Sequence, residues 1–187
     1  MKRDIPLSAI DGTGFESRHV SNYFVKRKAK GGVYDQHTTY TRYPKVGIVS
    51  DCDTHLVLSG VPSRGPYPDI AHYEKAIRDA EKNVHMKILT ADAGYDSERS
   101  HVFARSLGIR AIIPPKVGRR SRKLPTGKWR KVMATRFNKK LYGQRWQVET
   151  VNSMIKRNLG SALFARSYGA QCREIMLRLF VQNVMVV

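Results

Sequence analysis

Acidic residues are the scarce class in this chain. Fifteen Asp or Glu stand against 34 Lys or Arg in 187 residues, a formal net charge of +19. From Arg99 to the C-terminus there are twenty Lys or Arg and only two acids, Glu149 and Glu174. Such an excess opposes compaction by self-repulsion, so a polyanionic partner is expected. Cysteine is nearly absent too. Cys52 and Cys172 are isolated, and the six histidines show no paired ligand spacing. A disulfide framework and a structural zinc site are therefore not expected. No apolar run is long enough to span a bilayer, since segment 175–187 is short and interrupted by Arg178, Gln182 and Asn183. Dispersed basic charge without such a run favours nucleic acid over membrane. Residues 1–10 lack the apolar stretch of a signal peptide, and the expectation is a cytoplasmic protein.

What is present suits one globular domain with a substantial core, as 41% of the residues are hydrophobic. Apolar run 5–10 predicts a strand with Asp11 at its C-terminal edge, followed by a turn at Gly12 and Gly14. Residues 15–32 are polar and basic and read as a loop or edge ribbon. Residues 38–49 and 55–61 are β-rich and flank the turn Asp51-Cys52-Asp53, which predicts a hairpin. The Pro/Gly-rich stretch 63–68 is a connection, after which Asp69 is placed to cap a helix running to about Val84. A strand over 87–91 ends at Asp92-Ala93-Gly94-Tyr95-Asp96. Asp96 or Ser97 then caps a helix to Leu107, with Asp96 the better cap by position, and a short strand covers 109–114. Strands alternating with helices imply a mixed α/β sheet. Residues 116–131 form a basic loop carrying Arg119, Arg120, Arg122 and Lys123. A long helix over about 134–159 and a last one over about 171–187 complete the chain.

Within the long helix, Tyr142, Arg145, Glu149 and Lys156 are spaced to share one face, while Val148, Val151, Ile155 and Leu159 gather on another. Glu149 is conspicuous as a lone acid in basic surroundings. Asp11 and Asp92 share a pattern of apolar strand, then Asp, then a glycine-containing turn. Loops beyond strand ends of an α/β sheet are where ligands gather. Two such aspartates and one helical glutamate suit Mg²⁺ or Mn²⁺, held as a pair that activates a water or hydroxyl and stabilises a leaving oxygen. Simpler readings stand beside these. An Asp before Gly is often only a turn residue. Glu149 can pair with Arg145 four residues earlier, and Lys156 and Arg157 can be ordinary solvated cations.

The spacing Tyr142-x2-Arg145-x3-Glu149-x6-Lys156 resembles, at all four positions, the Y-x2-R-x3-E-x6-K signature of the DDE transposases of bacterial insertion sequences. Ala9-Ile10-Asp11-Gly12-Thr13 and Leu89-Thr90-Ala91-Asp92-Ala93-Gly94-Tyr95 resemble the two aspartate blocks of that family, although Ala93 stands where many relatives have Lys. The likeness runs from about Ile5 to Arg166. It implies an RNase H-like mixed sheet flanked by helices, with Asp11 on the first strand, Asp92 on the fourth and Glu149 on a late helix. It implies a transposase that hydrolyses DNA at element ends and joins the freed 3′-hydroxyl to target DNA. On that basis Asp11, Asp92 and Glu149 bind Mg²⁺ or Mn²⁺, with two ions expected. Tyr142, Arg145, Lys156, Arg157 and the basic loop hold double-stranded DNA, on which a homodimer is expected. Residues 1–187 then form one catalytic domain. Relatives usually carry an N-terminal segment that recognises element ends, and with Asp11 so near Met1 the expectation is that this segment is missing. The alternatives are a non-transposing nuclease on the same fold and an inactive DNA-binding remnant.

Overall fold

The computed structural model describes residues 2–17, 43–116 and 124–187. Five strands build its main sheet: β2 (Ser8–Gly14), β4 (Tyr43–Asp51), β5 (Val57–Gly65), β7 (Ile88–Ala91) and β8 (Arg110–Ile112). Their spatial order is β5-β4-β2-β7-β8. Counted along the chain this is third, second, first, fourth, fifth. Only β4 runs against its neighbours: it pairs antiparallel with β2 and β5, whereas β2–β7 and β7–β8 are parallel. Two small parallel pairings lie outside it, β1 (Arg3–Ile5) with β6 (Val84–Met86) and β3 (Glu16–Ser17) with β9 (Ala162–Leu163). The expected mixed α/β architecture is therefore present.

Both faces of the sheet are covered, and alternation along β2 shows how. Ile10 joins Val49, Tyr73, Ile77, Leu89, Tyr95 and Ala104 in a core beneath helices α1 (Tyr73–Glu81) and α2 (Glu98–Ser106). Its neighbour Ala9 joins a second core with Ile48, Val148, Val151, Ile155 and Ile175. Those last residues belong to α5 (Trp146–Leu159) and α6 (Tyr168–Val186). Successive side chains of a strand point to opposite faces, so Asp11 shares the α5 side with Ala9.

The structure corrects several local expectations. Strand β2 does not end at Asp11 but continues to Gly14, because β4 pairs with it along its whole length, Asp11 opposite Ile48 and Gly14 opposite Lys45. Strand β5 likewise runs through the stretch taken as a connection, as far as Gly65. Asp69 caps nothing: Pro68 precedes the short 3-10 turn Asp69–His72, and the Asp69 carboxylate lies 2.5 Å from the ammonium of the buried Lys45. The helix expected over 134–159 is three pieces, α3 (Lys128–Thr135), α4 (Lys139–Gly143) and α5. Asn138 causes the second start by accepting the Leu141 N–H. Gly160, at φ 91°, ends α5 in the left-handed region that L side chains avoid. The turn at Asp51 is as expected, its carboxylate accepting the Asp53 N–H and the Thr54 hydroxyl.

Candidate active site

Strand register brings the first two acids together. In the β2–β7 ladder Ser8, Ala9 and Ile10 stand opposite Leu89, Thr90 and Ala91. Asp11 is the next residue of β2, and Asp92 is the first residue past β7. Adjacent strands are about 4.8 Å apart and equal offsets share a face, so both carboxylates emerge beyond the same end of the ladder. They are close enough to feel each other. Burial first, and then Asp92 and Asp69, push the Asp11 carboxyl up to about 6, against the pull of the Gly12 N–H and Arg145. Tyr95 senses the same acids. Its hydroxyl is buried without a hydrogen-bond partner among the described residues. It is held well above the ordinary tyrosine range by burial, then by Asp69, Asp11 and Asp92.

Asp92 also organises its own turn. Its Oδ1 accepts the Gly94 N–H at 2.8 Å, leaving Oδ2 without a described partner in that turn. Asp96 does not cap the following helix; Ser97 does, accepting the Ser100 N–H. The Asp96 side chain is instead fully buried and gripped by Arg130, with Nε and Nη2 of the guanidinium 2.6–3.0 Å from its oxygens. Its Oδ2 also accepts the Lys116 N–H. Glu98 accepts the Trp129 and Arg130 N–H groups at the start of α3. Asp96 and Glu98 thus fasten both flanks of the basic segment to the chain just after Asp92. Arg119, Arg120, Arg122 and Lys123 themselves lie outside the described residues.

Helix α5 lies against the Asp11 face through Val148, Val151, Asn152 and Ile155, all buried. Asn152 Nδ2 donates to Asp11 Oδ2 at 3.3 Å. Glu149 sits one turn earlier, half of its side chain exposed, and accepts a hydrogen bond from Arg145 Nη2. Arg145 therefore acts on both Glu149 and Asp11. Glu149 does not join the aspartates here: among the described residues no three His, Cys, Asp or Glu are gathered closely enough to hold a metal. Tyr142 is not on α5. It belongs to α4, its ring 5.0 Å from Phe137, so the four signature residues span a helix junction rather than one face. Lys156 is half-buried with its ammonium 5.8 Å from the Phe15 ring, just past β2, and Arg157 is exposed. Sequence reasoning missed Asn152. Its signal was a polar residue at an apolar position of the helix, three residues after Glu149.

A mixed five-stranded sheet in this order, with helices on both faces, is an RNase H-like fold. The family profile described as "Transposase DDE domain" matches residues 2–184, and the chain belongs to that family. Members of that family are transposases, and they generally use divalent metal ions. Among solved structures, the piggyBac transposase synaptic complex with hairpin DNA is similar at TM-score 0.50 and 14% identity, over 96% of this chain and 46% of that one. The catalytic core domain of BIV integrase is similar at TM-score 0.49 and 13% identity, over 96% and 82% of the two chains. A simian T-cell lymphotropic virus intasome has TM-score 0.49 and 9% identity, over 97% and 49%. This chain spans about half the length of the piggyBac and intasome chains. No protein of curated function matches it. Among the described residues, no helix is long and apolar enough to cross a membrane.

Proposed function

We propose that Asp11, Asp92 and Glu149 are the metal-binding acids of this transposase, holding two Mg²⁺ or Mn²⁺ ions. The observation that carries the reading is the alignment of Asp11 and Asp92 at the end of one ladder, with the helix of Glu149 packed on the same face. The donor set fits the ions. Asp11 is a largely buried carboxylate beside a second carboxylate, an arrangement unfavourable to two negative charges until a cation stands between them. Oxygen-only ligands suit hard divalent cations. Bound there, the ions supply an activated water or 3′-hydroxyl and neutralise charge on the leaving oxygen.

The chain's own residues do the rest. Asp11 and Asp92 would hold the ions at a fixed place on the sheet. Glu149 turns from Arg145 to complete the site, and Arg145, freed, grips a phosphate oxygen pair with its planar fork. Tyr142 beside it, with Lys156 and Arg157 further along α5, continues the backbone contacts, as do Arg119, Arg120, Arg122 and Lys123. Partners are the element ends and target DNA, with two copies of the chain assembled on them. The chain works at the nucleoid in the cytoplasm. Glu149→Gln keeps size and removes the charge. It is expected to abolish Mn²⁺-stimulated plasmid nicking with DNA affinity unchanged; nicking at the wild-type rate would remove Glu149 from the site.

A further inference from the structure

Helix α5 buries four residues against the sheet, and three of them, Val148, Val151 and Ile155, are aliphatic. The fourth, Asn152, is 7% exposed. Its Oδ1 is buried with no hydrogen-bond partner among the described residues, and its Nδ2 makes one bond, to Asp11 Oδ2. A buried amide that satisfies only part of its hydrogen-bonding capacity is unfavourable beside an aliphatic side chain of similar shape. Packing alone therefore does not account for an asparagine here. What it does achieve is specific. The donor reaches across 141 positions of sequence to the first acid from the helix that carries the third, one turn from Glu149.

We infer that Asn152 is a positioning residue for the acid site: it orients the Asp11 carboxylate and fixes the register of α5 against β2, so that Glu149 is presented to Asp11 and Asp92. The inference rests on the acid site proposed above. The bond to Oδ2 restricts rotation of the Asp11 carboxylate, and one hydrogen bond in a face of interchangeable aliphatics specifies which turn of α5 meets Asp11. Apolar contacts are non-directional and do not select that register. Partners that orient a ligating carboxylate contribute about 10–100-fold to metal affinity or activity.

The test uses Asn152→Leu, which keeps the shape and removes the donor, and Asn152→Val, which is smaller. Each full-length variant is compared with wild type by calorimetric titration with Mn²⁺, by Mn²⁺-stimulated nicking of supercoiled plasmid, by duplex binding, and by thermal midpoint in EDTA. Mn²⁺ affinity and nicking are expected to fall about 10-fold or more, while duplex affinity and thermal midpoint stay near wild type. Wild-type Mn²⁺ affinity and nicking in either folded variant would overturn the inference. So would losses that merely follow a lowered thermal midpoint in both, which would make Asn152 a packing element. Asp11→Asn run alongside separates the two layers. If it keeps Mn²⁺ affinity and nicking, the acid site itself is refuted. If it loses both while Asn152→Leu keeps both, only the role of Asn152 is refuted.

Discussion

Replacing Asp11 by Asn is expected to abolish strand cleavage and, in the same protein, to stabilise the metal-free chain above pH 6. Burial moves the Asp11 carboxyl from its ordinary 3.8 up to about 6 in the folded chain. Between those values the unfolded chain releases a proton that the folded chain keeps. Stability contributed by this group therefore falls as pH rises through the window, and stays at its lower level above it. The displacement corresponds to up to about 3 kcal/mol. Asparagine never ionises and avoids that loss. Its new amide also finds a waiting acceptor in Asn152 Oδ1, which has no partner among the described residues. The assay is urea denaturation in EDTA at pH 4, 6 and 8. The two proteins should be of similar stability at pH 4, with the variant ahead by about 2–3 kcal/mol at pH 8. A variant that is less stable than wild type at pH 8, or a difference independent of pH, would refute the reasoning. Saturating Mn²⁺ should reverse the order, because only the wild type gains binding energy from the ion.

Arg130→Ala leaves the fully buried Asp96 carboxylate without its guanidinium and should lower stability by about 3–5 kcal/mol in urea denaturation. The double variant Asp96→Leu/Arg130→Met should recover much of that loss. Arg145→Ala removes one proposed phosphate contact and should flatten the salt dependence of duplex binding, measured by anisotropy, by a slope of about one. Ile155→Ala empties part of the core between α5 and the sheet, and should lower the urea midpoint by an equivalent of about 2–5 kcal/mol.

The parts of the site that were legible in the sequence are those written in local pattern. Apolar runs ending in Asp marked β2 and β7, while the parallel register that sets Asp11 beside Asp92 came only with the fold. The apolar face of α5 was legible from Val148, Val151 and Ile155, whose helical spacing survives in the fold. What was not legible depends on contacts between distant segments. Asp96 looked like a helix cap because its partner Arg130 lies 34 positions away. Asp69 looked like another cap because Lys45 approaches it from a neighbouring strand. The break between α4 and α5 was hidden because Tyr142, Arg145 and Glu149 keep helical spacing across it, although Asn138 carried a capping signal for α4. Asn152 was missed because its partner Asp11 lies 141 positions away.

The position of Glu149 bears most heavily on the account. In the structure it is held by Arg145, and the proposed acid site needs it beside Asp11 and Asp92. The direct measurement is anomalous diffraction from Mn²⁺-soaked crystals of the chain bound to nicked duplex DNA. The account predicts Mn²⁺ between Asp11 and Asp92, with an ion at about 2.1 Å from a Glu149 oxygen and Arg145 moved onto phosphate. Mn²⁺ density away from Asp11, or Glu149 still paired with Arg145 around a fully occupied metal site, would contradict it.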